Sequence, residues 1–156
     1  MQHARRKVLK AGGSAGVLAL LCAAGIVGPG DVLAQGASPA AFTMKTVAEA
    51  MRALGAQSPA VSAAIQIKAP EIAENGAVVP IGVESKLPGT ESITLLVEKN
   101  PQPLAASFNI PAGTEPNVST RVKIGESSDV YALVKADGKF FMAKKEIKIT
   151  LGGCGG

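Results

Sequence analysis

The chain of 156 residues has no tryptophan, one tyrosine, four phenylalanines, one histidine and two cysteines. His3 and Cys22 both fall within the first 34 residues, which read as a removable leader. Past that point there is no imidazole and a single thiol, Cys154. Ser-His-Asp and Cys-His catalysis need an imidazole base, and cysteine–histidine zinc sites need several such ligands. Both are excluded there. A thiol oxidoreductase relies on a Cys-x-x-Cys pair or an activated thiol, and no second thiol accompanies Cys154. Glu115, Glu126 and Asp129 are scattered without metal-ligand spacing. The expectation is a protein without a cofactor that is not an enzyme in its own right.

The leader has a basic head, Arg5-Arg6-Lys7-Val8-Leu9-Lys10, then an apolar stretch from Ala15 to Val27, then Gly28-Pro29-Gly30 and Val32-Leu33-Ala34. That order describes an export signal. The apolar stretch is shorter than the ~20 residues of a spanning helix, so no membrane anchor is expected after cleavage behind Ala34. Arg5-Arg6 with Leu9-Lys10 resembles a twin-arginine signal, although Ala4 and Val8 stand where Ser or Thr and Phe are usual. The general secretory route is the alternative. Leu21 before Cys22 does not suit a lipoprotein site, where a small residue is needed.

Formal net charge is +4, but Arg5, Arg6, Lys7 and Lys10 against Asp31 supply most of it. The remaining 122 residues carry 12 basic and 11 acidic side chains. This balance offers no electrostatic footprint for nucleic acid, and the length suits one domain with one core.

Residues 35–42 are small and polar and read as a flexible lead. In the following segment, Val47, Ala50, Met51 and Leu54 share one helical face. Thr46 with Glu49 forms a capping-box pattern, and Gly55 is a stop; the helix is expected over 43–54. From Val61 onward the pattern is short apolar-alternating runs divided by turns. These runs are Ala64–Lys68, Ala77–Glu84, Ile93–Glu98, Ala105–Ile110, Val118–Ile124, Asp129–Lys135 and Lys139–Ile149. Pro80, lacking an amide hydrogen, places its strand at an edge or at a bulge. Asp137-Gly138 is a two-residue hairpin signal. About seven such strands describe an all-β fold, an immunoglobulin-like antiparallel β-sandwich with one N-terminal helix. Phe140, Phe141 and Met142 read as core or as a dimer contact. No internal repeat appears.

The chain given runs through Ile147, Ile149 and Leu151 into Gly152-Gly153-Cys154-Gly155-Gly156. Buried cysteine behaves as a small hydrophobe, but here glycines flank the thiol and leave the backbone free to take many conformations. Residues 152–156 therefore read as a flexible arm, following a domain over 43–151. The nearest cation in sequence is Lys148, so the thiol should keep a pKa near ~8.5 and be only a few per cent thiolate at neutral pH. Three extended steps from Leu151 allow Cys154 a reach of about 10 Å. Lys144, Lys145 and Lys148 form a basic cluster nearby, read first as a solvated strand face and second as a device steering anions. An unpaired cysteine in an exported chain also suits an intermolecular disulfide. An exported interaction module with such a bond is the alternative reading.

The segment Ala69-Pro70-Glu71-Ile72-Ala73-Glu74-Asn75-Gly76-Ala77-Val78-Val79-Pro80, the helix over 43–54 and the ending Gly152–Gly156 together resemble the SoxY family. SoxY proteins are sulfur-carrier subunits of the thiosulfate-oxidising Sox system. The resemblance implies an immunoglobulin-like domain in the periplasm, paired with SoxZ. It assigns Cys154 as the covalent attachment point and Gly152, Gly153, Gly155 and Gly156 as the flexible part of a swinging arm. SoxAX, a haem protein, would join thiosulfate to the thiol. SoxB, a manganese hydrolase, would release sulfate, and SoxCD, where present, would oxidise the remaining sulfane. No metal or haem would sit on this chain.

Overall fold

The computed structural model describes residues 39–150. Residues 1–38, which include the expected export signal, and the residues from Leu151 onward, including Cys154 and its four flanking glycines, lie outside them. Nine strands and one α-helix are present among the described residues. The strands are β1 (Ala60–Val61), β2 (Ile65–Lys68), β3 (Ile72–Ala73), β4 (Val79–Ser85), β5 (Thr90–Val97), β6 (Leu104–Asn109), β7 (Asn117–Val122), β8 (Ser128–Ala136) and β9 (Lys139–Ile149). The helix α1 spans Val47–Ala53.

Alternating apolar residues let two sheets face each other. The larger has the order β1-β9-β8-β5-β6, with β3 also on β9, and the smaller has the order β2-β4-β7. Ile81, Val83, Ile93, Leu95, Val130, Val134 and Ile147 fill the space between them and are fully buried or nearly so. Removing each such side chain from water contributes about 1.5–3 kcal/mol. This is the immunoglobulin-like β-sandwich expected from the turn spacing. Asp137 and Gly138 both have positive φ, 47° and 71°, as the two-residue turn between β8 and β9 requires.

The large sheet is covered on its second face as well. Leu96 and Leu133 point away from the sandwich and pack with Ala41, Ala50, Met51, Ala56 and Leu104. Strand β5 is therefore buried on both faces from Ile93 to Val97. Phe141 packs on the inter-sheet core, whereas Phe140 and Met142 pack under the helix.

Three expectations need correction. The helix begins at Val47, because Thr46 is extended (φ −127°, ψ 151°) and accepts from the Glu49 amide, while Glu49 closes the capping box. Part of the stretch read as a flexible lead is ordered: Pro39–Thr43 forms a 3-10 turn whose Ala41 is completely buried. Pro80 lies in the central strand of the small sheet. It is tolerated because β2 ends at Lys68, opposite Gly82, so at Pro80 only β7 is paired. A fourth difference is an addition, since β1 and β3 run parallel to β9 in an otherwise antiparallel sandwich.

Candidate functional site: the root of the C-terminal extension

Strand β9 is longer than its neighbour. Pairing with β8 stops at Ser128 opposite Ile147, yet β9 continues to Ile149. Side by side with that overhang runs β3, with Ile72 opposite Lys148 and Ala73 opposite Ile149. The Lys148 amide donates to the Glu71 carbonyl at 2.8 Å, and the Thr150 amide donates to the Ala73 carbonyl at 3.1 Å. On the other side the Ser127 hydroxyl replaces the missing β8 backbone and accepts from the Ile149 amide at 2.9 Å. The last three described residues are thus held alternately from both sides.

The segment Ala69–Gly76 acts as a strap across the end of β9, and it is tied at further points. Lys145 donates to the Ala69 carbonyl at 2.6 Å. The Ile124 amide donates to the Gly76 carbonyl at 2.7 Å. Ala73 is buried, and the Asn75 side chain accepts from the Ala77 amide in a local turn. Gly76 has no room for a side chain: a Cβ there would stand 2.3 Å from the Ile124 carbonyl oxygen and 3.2 Å from Ile149 Cγ2.

The basic cluster separates into different roles. Lys144 is paired with Asp129 at 2.8 Å, Lys145 reaches back to the strap, and Lys148 is exposed. Ser127 and the Lys145 tie were not anticipated from sequence. A signal for the latter was available, because Lys145 shares the parity of Ala143, Ile147 and Ile149, which face the core. A cation on that face needs an acceptor.

Charge pairs elsewhere set the pH behaviour. Hydrogen bonding from Lys68 holds the Glu84 carboxyl below its ordinary 4.5. Lys135, and then the Gly138 amide, do the same for Glu91. Burial and the Glu98 acceptor push Tyr131 above 10.0, and the Asp129 partner raises Lys144 above 10.5. Lowered carboxyl values contribute stability that is present above 4.5 and lost as pH falls through the folded-state values. Raised values contribute stability that is present below 10.0–10.5 and lost as pH rises through them. The melting temperature is therefore expected to be flat between these limits and to fall beyond both. Calorimetry across pH checks this. Glu84→Gln with Glu91→Gln should flatten the acid limb, a small effect because exposed pairs contribute little.

The described residues thus form a two-sheet sandwich whose strand β9 is held to its end, through Thr150, by the strap and Ser127. The family model for the sulfur oxidation protein SoxY matches residues 50–154. The chain belongs to the SoxY family. The solved sulfur carrier protein SoxY from Chlorobium limicola f thiosulfatophilum is 38% identical, with a TM-score of 0.62, over 70% of this chain and 96% of that one. A superoxide reductase (neelaredoxin) from Ignicoccus hospitalis is a weaker likeness, 22% identical with a TM-score of 0.49, over 55% of this chain and 79% of that one. No curated protein matches the chain.

Proposed function

We propose that this protein is a periplasmic covalent carrier of sulfur intermediates in thiosulfate oxidation, with Cys154 as the attachment point. The observation that carries the reading is the family match, which runs through residue 154 and so includes the lone thiol past the leader. The strapped root supports it, because a carrier must present its thiol from a fixed base.

Loading joins the thiol to thiosulfate, R–SH + S2O3²⁻ → R–S–S–SO3⁻ + H⁺ with two electrons passing to a haem partner of the SoxAX type. Hydrolysis by a SoxB-type enzyme then breaks the terminal sulfur–sulfur bond: R–S–S–SO3⁻ + H2O → R–S–SH + SO4²⁻ + H⁺. A SoxCD-type enzyme would act on the sulfane left behind, and SoxZ would be the standing partner. The carrier contributes no base to these steps. Residues 1–34 serve as the export signal, and Gly152, Gly153, Gly155 and Gly156 let the thiol enter several differently shaped sites.

Intact mass spectrometry of the protein from thiosulfate-grown cells tests the proposal. Sulfane, thiosulfonate or sulfonate adducts on Cys154 are expected. An unmodified thiol, or a simple disulfide to a second protein, would instead support the interaction-module reading and sink the carrier.

A further inference from the structure

We propose that Ile72 and Val78 are the apolar contacts by which an enzyme acting on the Cys154 sulfur docks against this domain. The proposal rests on the carrier reading of Cys154 and names the surface that reading requires.

The fastening of the strap accounts for most of its residues but not for these two. Ala73 stands opposite Ile149 and is buried in the inter-sheet core, whereas Ile72 stands opposite Lys148 and faces away from it. Val78 precedes the fully buried Val79 and is turned outward. Ile72 is 58% exposed and Val78 51% exposed, and neither belongs to either apolar cluster. Single exposed apolar side chains are ordinary, and Phe42 and Val61 are of that kind. Ile72 and Val78 instead lie on the same short stretch, one on each side of the turn at Asn75. Strand propensity does not explain them, since an exposed edge would be served as well by threonine. Bare apolar groups on an edge strand are a liability unless something covers them.

Covalent geometry says what must come close. Cys154 is four residues past Thr150, so its backbone lies within roughly 13–14 Å of Thr150 whatever conformation lies between. An enzyme that takes the sulfur into its own site must bring its surface up to the end of β9. Ile72 is there, because the Thr150 amide is bonded to the carbonyl of the next residue, Ala73. Val78 is there too, two residues past Gly76, which sits against Ile149. A transient contact covers on the order of 500 Å² of each protein, and a patch of that size at the strand end takes in both side chains. A standing subunit seated on the same spot would bar that approach. The occupant is therefore the enzyme that comes and goes, offering an apolar surface beside the mouth of its site.

The test loads the full chain, with Cys22→Ser, as the thiosulfonate at Cys154. Sulfate release by a purified SoxB-type hydrolase is then followed over a range of carrier concentrations. Ile72→Lys with Val78→Lys is expected to raise KM about tenfold or more at unchanged kcat, because a docking contact is lost and the chemistry is untouched. Ile72→Thr with Val78→Thr keeps the branched shape and should give a smaller rise; it decides the matter if the lysine pair does not fold. Val61→Lys is the control. Val61 is 79% exposed but lies opposite Met142, six residues back along β9 from Lys148 and about 20 Å away, and its KM should not change. An unchanged KM in the paired variants, or an equal rise in Val61→Lys, overturns the proposal. So does loss of pairing with a SoxZ-type partner in the same variants, read by size-exclusion chromatography, since the patch would then be a subunit interface. No sulfate release from the unmutated chain would strike the carrier reading itself, whereas equal release from every variant strikes the docking surface alone.

Discussion

Cys154→Ser is expected to take up no thiosulfate-derived sulfur, a complete loss rather than a reduction, while the melting temperature stays unchanged. The reason is chemical: loading needs a sulfur–sulfur bond, and a serine hydroxyl cannot form one under the same two-electron oxidation. Nor does any other side chain past residue 34 substitute, because the chain there contains no second thiol. Cys22 falls within the first 34 residues. Purified partner enzymes with thiosulfate, followed by intact mass, read the result directly. An adduct on the serine variant would show that sulfur is carried elsewhere and would remove Cys154 from its role. A thiol with an ordinary pKa is also expected to label slowly with alkylating reagents at neutral pH and faster as pH approaches ~8.5.

The second large effect is expected at Gly76, where the site and the fold meet. A Cβ at this position would stand 2.3 Å from the Ile124 carbonyl oxygen, and the obstacle is backbone, not the tip of a flexible chain. Gly76→Ala must push the strap outward. Overpacking of this kind costs about 1–3 kcal/mol. The Ile124 amide bond to the Gly76 carbonyl, 2.7 Å in the native structure, is strained with it, adding about 1 kcal/mol. A loss of about 3 kcal/mol lowers the melting temperature of a domain this size by roughly 10–20 °C. Calorimetry on the Ala variant checks it, and a shift within a few degrees would show that the strap moves freely. Ala77, the next residue, is exposed, and Ala77→Ser serves as the neutral comparison.

Much of this architecture was legible in the sequence because it is local. The capping box at Thr46 and Glu49 is a contact over three residues, and it forms as the spacing indicates. The Asp137-Gly138 hairpin rests on two adjacent backbone conformations. Strand β9 matches the expected Lys139–Ile149 because the Asp137-Gly138 turn sets its start and the alternation of Ile147 and Ile149 with Lys148 runs to its end. Pro80 was informative but incompletely so. It does require a side free of pairing, and it obtains this from the shortness of β2 rather than from an outer position in the sheet. The ordering of Ala41 was invisible because a small residue at the end of a polar stretch carries no periodicity. Its burial depends on Leu96 and Leu133, both far along the chain.

The candidate site divides along the same line. The sequence alone isolates Cys154, excludes imidazole chemistry past residue 34 and surrounds the thiol with glycines. These are statements about which atoms exist, and no folding is needed to make them. The strap and the Ser127 bond at the end of β9 belong to the tertiary structure. Strand β3 has two residues, too few for any repeating pattern. Ser127 acts because β8 begins only at the next residue, and the partner of Lys145 lies 76 positions distant. Sequence determines the thiol and the local turns that bracket the strands. Only the packed sandwich decides where β9 stops being held, because that point is set by backbone groups that meet across the whole length of the domain.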